Sequence, residues 1–220
     1  MGFTAIFGGT FNPFHLGHYE MLKALQNDPE IDEIWLLPDK IPPHKVCDYM
    51  PLDSDRIKMC ETVAGEFSKA TICLLEFERE GKSYTYDTVV NLKEKHPHKN
   101  FVFVCGGDMF VYFPKWYRYA ELMKLLPFYV FSRTDTKMEE FNSCVEEFGK
   151  MGMQIILNDT AIPNISSTEF RKTKSPIVYL QQLGRALSFS VRKKQIKIFD
   201  FVDNISDNDV IYELYKEIIE

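Results

Sequence analysis

Cysteine pairs are the first thing this chain lacks. Its five cysteines (Cys47, Cys60, Cys73, Cys105, Cys144) are odd in number, widely spread, and never two residues apart. That pattern speaks against a disulfide framework or a thiolate zinc site and fits reduced, mostly buried thiols in a cytoplasmic protein. No stretch approaches the roughly 18 consecutive apolar residues that a membrane helix needs. The opening residues, Met1 to Phe7, carry no basic segment ahead of an apolar one, so no export leader is expected. Basic charge is also in short supply. Lys and Arg total 26 against 32 Asp and Glu, a formal charge of -6, which argues against a general nucleic-acid surface. It does not exclude one anionic small molecule, because a few clustered donors can hold a phosphate whatever the net charge.

What the chain does have is ordinary globular material: 220 residues, 45% hydrophobic and 26% charged. That is enough for one domain and an appendage. Short β-branched and aromatic runs (3–7, 33–37, 70–77, 101–105, 128–132, 154–157) alternate with segments of helical period (18–26, 55–67, 86–95, 119–125, 138–150). In the second helical segment Ile57, Cys60, Ala64 and Phe67 form one apolar stripe. Strands alternating with helices predict an α/β domain, a parallel sheet with helices on both faces. Ligands of such sheets bind beyond the carboxyl ends of the strands, where strand order reverses.

The residues that follow each predicted strand are the unusual ones. The first strand runs into Gly8-Gly9-Thr10-Phe11-Asn12-Pro13-Phe14-His15-Leu16-Gly17-His18. The glycine pair lets the backbone turn tightly and approach a ligand closely. A helix starting near Leu16 or Gly17 would offer free N–H groups at its positive end, a natural phosphate site. His15 and His18, three apart, can present their rings to one side as further donors, with charge assistance if protonated. A metal pair is disfavoured, since zinc-protease histidines stand four apart around a glutamate.

After the second strand, Pro38 to Lys45 form a proline-stiffened loop ending in His44 and Lys45, cationic donors for a phosphate. After the third, Ser83 or Thr85 could cap the next helix. The fourth strand ends in Cys105-Gly106-Gly107-Asp108, where Asp108 could accept from ribose hydroxyls or an amino group. Next, Trp116, after Pro114-Lys115, is expected to be an exposed stacking platform. Trp35, the other tryptophan, is expected in the core. Near the end of the regular pattern, Ile165-Ser166-Ser167-Thr168-Glu169-Phe170-Arg171 combines a capping box with hydroxyl and guanidinium donors. Arg133, just past the fifth strand, is a further candidate donor.

Taken together, these strings resemble the nucleotidyltransferase superfamily marked by a HxGH signature. Pro42-Pro43-His44-Lys45, Ser83-Tyr84-Thr85, Gly107-Asp108 and Pro114-Lys115-Trp116 resemble more narrowly its bacterial nicotinate-nucleotide adenylyltransferase family. The resemblance runs through about residue 173. It implies a Rossmann-like doubly wound sheet and AMP transfer from ATP to nicotinate mononucleotide, with Mg2+ carried in by ATP and no protein-held metal. It also implies catalytic roles for His15, His18 and Arg171. ATP would be held by Gly8, Gly9, Thr10, Phe11, Gly106, Asp108, Arg133, Ile165, Ser167 and Thr168. The mononucleotide would meet Lys45, Thr85, Trp116 and Tyr117. No nucleic-acid or membrane partner follows from it.

Asn12 stands where the family commonly has Asp, which keeps the turn chemistry but loses a charge. Residues 181–220 do not match. They include a basic stretch (Arg185, Arg192, Lys193, Lys194, Lys197) and an acidic end with Val210, Ile211, Leu214 and Ile218 at helical spacing. We expect a nucleotidyltransferase domain over 1–180 and a helical extension over 181–220, which leaves room for a homo-oligomer contact. Two other functions stay open on these residues: a related transferase acting on phosphopantetheine or a phosphocholine-like substrate, and a nucleotide sensor without catalysis.

Overall fold

In the computed structural model of the chain, residues 2–12, 14–43, 52–132 and 138–162 are described. They belong to the first of two compact units, Met1–Ile165. The expected division at residue 180 lies outside the described residues. The elements follow the alternation read from the pattern: β1 (Phe3–Gly9), α1 (Leu16–Asn27), β2 (Ile31–Pro38), α2 (Asp53–Ala64), β3 (Ala70–Ile72), α3 (Thr85–Lys95), β4 (Phe101–Gly106), α4 (Gly107–Val111), α5 (Tyr119–Leu122), β5 (Phe128–Phe131), α6 (Met138–Lys150) and β6 (Ile155–Asn158). All neighbouring strands run parallel, in the order β3-β2-β1-β4-β5-β6.

Burial follows from that order. The central strands β1, β4 and β5 are covered on both faces and are almost wholly apolar, whereas the edge strands β3 and β6 are short and half-buried. Alternate residues feed two layers. Ile6, Phe101, Phe103, Cys105, Phe128 and Val130 join the cluster that includes Val89, Phe110 and Phe141 from α3, α4 and α6. Val102, Val104 and Phe131, in the opposite phase, are equally buried outside that cluster.

Two expectations change here. The third strand stops at Ile72 instead of continuing to residue 77, and Leu75–Glu78 form a 3-10 turn. Glu76 explains the departure. Its buried carboxylate accepts from the Thr88 hydroxyl and pairs with Arg79 at 3.0 Å, partners off the sheet that draw the chain out of the ladder. On α2 the buried face is Arg56, Met59, Cys60 and Ala64, so the stripe is rotated and Ile57 is only half-buried. Trp35 is partly buried against the core, with Nε1 donating to Glu33 Oε2 at 3.0 Å.

Candidate active site

Strand order reverses between β1 and β4: β1 leads by way of β2 to one edge of the sheet, and β4 leads by way of β5 to the other. The glycine pair expected to turn stays in the ladder: Gly8 and Gly9 pair with Leu37 and Pro38, and Gly106 pairs with Phe131. Phe7 stands in register with Val104, so the glycine-bearing ends of β1 and β4 lie side by side at the carboxyl end of the sheet, at the switch point.

After β1, α1 starts at Leu16 as expected, with His15 in extended backbone at its N-cap. The His15 and His18 rings stack with centroids 3.6 Å apart and planes 19° from parallel. The His15 backbone N–H donates to His18 Nδ1 at 3.2 Å. Beneath them lies an aromatic wedge. Phe11 is 1% exposed, its ring stacked on Phe14 (5.0 Å) and edge-on to His18 (5.2 Å) and Phe7 (5.7 Å). Its φ of 45° is a costly conformation for a residue with a large side chain. Gly9 makes the wedge feasible: a Cβ there would come within 3.0 Å of the Phe11 ring. The Phe11 side chain thus packs against the His18 ring.

Thr10 turns its hydroxyl toward the loop after β2, donating to Asp39 Oδ2 at 3.0 Å. The Asp39 N–H donates to the Gly9 carbonyl at 3.0 Å. That loop is held on its other side by Ser83, whose hydroxyl accepts from the Lys40 and Ile41 N–H groups (3.1 and 3.4 Å), while the Ser83 N–H donates to the Ile41 carbonyl. So Ser83 is a loop clamp instead of a helix cap. Tyr84 occupies the N-cap of α3, and no side chain caps that helix. Neither Ser83 nor Thr85 fills the capping role expected of one of them, because the serine hydroxyl is already engaged. The first N–H groups of α3, beginning at Thr85, are left without intrahelical partners.

Tyr117 is 45% exposed, and its ring lies 4.6 Å from that of Tyr84. This brings the Tyr117 segment to the start of α3. Trp116 is a correction: it is 9% exposed instead of open. The 3-10 turn Phe113–Lys115 folds its ring inward, edge-on to Phe103 and Phe113, each at 5.6 Å. The exposed aromatic here is Tyr117.

After β4, Gly106 caps α4, and Asp108 is exposed in the first turn of that helix. The adjacent Cys105 thiol is pushed up by burial, with Asp108 adding to the shift, so it is protonated and inert at neutral pH. His44, Lys45, Arg133, Ile165, Ser167, Thr168 and Arg171 lie outside the described residues.

One residue absent from the sequence-based candidates stands out. Arg56, on α2, is fully buried and reaches both loops, its Nη1 donating to the carbonyls of Thr10 (3.0 Å) and Asp39 (2.8 Å). The available signal was its phase: a charged residue spaced three and four positions from Met59 and Cys60 on the buried face.

Comparisons with known proteins bear on what such a site does. The cytidylyltransferase-like family profile matches residues 6–173. A Geobacillus thermodenitrificans protein named "Probable nicotinate-nucleotide adenylyltransferase" is 41% identical over 185 residues, 84% of this chain and 86% of its own length. A Bacillus cytotoxicus protein of the same name is 46% identical over 123 residues, 56% of this chain and 65% of its own. Among solved structures, the Plasmodium falciparum nicotinic acid mononucleotide adenylyltransferase complexed with NaAD matches with a TM-score of 0.64 at 22% identity. That match covers 87% of this chain and 97% of that one, a likeness of fold.

Proposed function

The chain belongs to the cytidylyltransferase-like family and, within it, to the nicotinate-nucleotide adenylyltransferases; on that premise we propose that it transfers AMP from ATP to nicotinate mononucleotide, yielding deamido-NAD and pyrophosphate, by direct in-line attack. An oxygen of the mononucleotide phosphate forms the new bond to the α-phosphorus. The bond from that phosphorus to the bridging oxygen of the β-phosphate breaks, and the electron pair leaves with pyrophosphate. A nucleotide monophosphate, with a second pKa of ~6, is largely a dianion at neutral pH. It needs no base to deprotonate it and no covalent intermediate.

Catalysis then reduces to placement and charge. Holding two reactants in line supplies ~7–11 kcal/mol. Donors already aimed at the developing charge supply much of the rest. The observation that best supports this division of labour is the adjacency of the two glycine-bearing strand ends at the switch point, with the stacked histidines at the head of α1. In this proposal the Gly8–Thr10 segment, His15 and His18 receive the ATP phosphates. Gly106 and Asp108 meet the adenosine. The family resemblance assigns further ATP contacts to Arg133, Ile165, Ser167, Thr168 and Arg171.

The nicotinate carboxylate sits at the head of α3, on the N–H groups near Thr85 and Tyr117, with Trp116 flanking the ring and Lys45 near the mononucleotide phosphate. The β1–α1 turn offers N–H and imidazole donors suited to phosphate oxygens. A hard cation prefers oxygen ligands, so Mg2+ would be bound mainly by the phosphates of ATP and by water. When bound, it would supply charge neutralisation for the leaving pyrophosphate.

A coupled pyrophosphate-release assay across acceptor phosphates tests the assignment. Turnover should require ATP and be greatest with nicotinate mononucleotide. Equal or better turnover with phosphopantetheine would overturn it.

A further inference from the structure

Full burial of a guanidinium is costly unless its donors are matched. Arg56 is 0% exposed; its Nε has no hydrogen-bond partner among the described residues, and the way its two terminal nitrogens are matched is informative. Nη2 donates to Asp53 Oδ1 at 2.8 Å, an ordinary helical pair three residues apart. Nη1 instead donates to two main-chain carbonyls from different loops, Thr10 at 3.0 Å and Asp39 at 2.8 Å, with Asp39 Oδ1 at 3.6 Å. The Phe77 ring lies 5.8 Å from the guanidinium carbon. Thr10 and Asp39 are themselves joined through the Thr10 hydroxyl, and the Asp39 N–H is bonded to Gly9. One side chain from α2 therefore closes a ring that fixes the separation of the turn after β1 and the loop after β2.

We propose that Arg56 is a positioning residue for the transfer: it sets the distance between the backbone after β1, which receives the ATP phosphates, and the loop after β2 at Asp39, on whose placement the approach of the mononucleotide phosphate depends. This rests on the function proposed above. Each loop on its own can still bind its substrate when the spacing drifts. What suffers is the approach of the attacking oxygen to the α-phosphorus, and a misplacement of about 1 Å can cost on the order of a hundredfold in rate. A planar fork is needed, because a lysine ammonium is a point donor that cannot hold the two carbonyls and Asp53 in one fixed geometry. A purely structural arginine would behave differently, since its loss would lower stability but leave each folded molecule working at full speed.

The test uses the full chain with ATP and nicotinate mononucleotide, with rates expressed per folded molecule from urea titration. For Arg56→Lys we expect kcat to fall by about tenfold or more while the KM for each substrate stays within about threefold, the signature of an interaction expressed in the transition state. Asp53→Ala releases only Nη2 from a half-exposed partner and keeps the fold. It should lower kcat by about threefold with KM unchanged. If Arg56→Lys does not fold, Asp53→Ala decides. Wild-type kcat per folded molecule in the folded variants, with only a lower urea midpoint, would overturn the proposal and leave the function intact. No turnover by the wild-type chain would overturn both.

Discussion

His18 accepts the backbone N–H of His15 on its Nδ1, at 3.2 Å. A nitrogen that accepts a hydrogen bond carries no proton, so the neutral ring holds its proton on Nε2. In the proposed reaction this ring donates an N–H to a phosphate oxygen.

Replacing that ring should show in the rate. We expect His18→Ala to lower kcat by at least about a hundredfold, the usual cost of one oriented donor. Far-ultraviolet circular dichroism should remain that of the wild type, because the helix keeps its own ladder. Unchanged kinetics would mean that the ring faces no reacting phosphate.

Trp116 makes a different demand. With 9% exposure and two edge-on aromatic neighbours, it is part of the core. Trp116→Ala should therefore cost about 3–5 kcal/mol of stability, as large-to-small core changes do. Any rise in the KM for the mononucleotide would come on top of that loss. Trp116→Phe should recover much of the stability. A urea midpoint unmoved by Trp116→Ala would contradict the packing.

The head of α3 offers a substitution of unusual economy. Thr85 is the first residue of the helix, where the N–H that proline lacks is tolerated. Tyr84, at φ -76° and ψ 126°, already has the extended backbone that a following proline requires. The wild type should prefer nicotinate over nicotinamide mononucleotide by at least about tenfold, ~1.4 kcal/mol. Thr85→Pro should shrink that preference with the helix intact. Comparable wild-type rates for acid and amide, or a preference that survives the proline, would remove the carboxylate from this helix end.

The thiols respond to pH in a direction that can be worked out. Burial pushes Cys60 up to about 12, and pushes Cys105 up as well. A raised native value means that these thiols favour folding fully below the ordinary thiol range, and that this support is lost as pH rises toward 12. At pH 8 iodoacetamide should leave both unmodified in the folded protein and label both in urea, as read by peptide mass spectrometry. The urea midpoint should fall between pH 8 and pH 11. Rapid native labelling of Cys60 would show that α2 opens more readily than its packing suggests.

Much of this molecule was legible in one dimension. β4 is an apolar run because both of its faces are covered, and α1 begins at Leu16, where the sequence pattern places a helix start. Those are local or periodic signals, written within a few residues of where they act. The side-by-side placement of the two glycine-bearing strand ends came instead from the strand order, which those signals do not contain.

Three features were decided only by the folded chain. Trp116 turned inward because Phe103 and Phe113, from a strand and a short turn, offer it apolar surface that no neighbour in sequence announces. Residues 73–77 left the sheet because Glu76 found Thr88 and Arg79. Arg56 became a buried clamp because two loops, 46 and 17 residues away along the chain, place carbonyl groups around it. In each case the deciding partner is distant in sequence, so the free energy that selects the outcome exists only once the packing does.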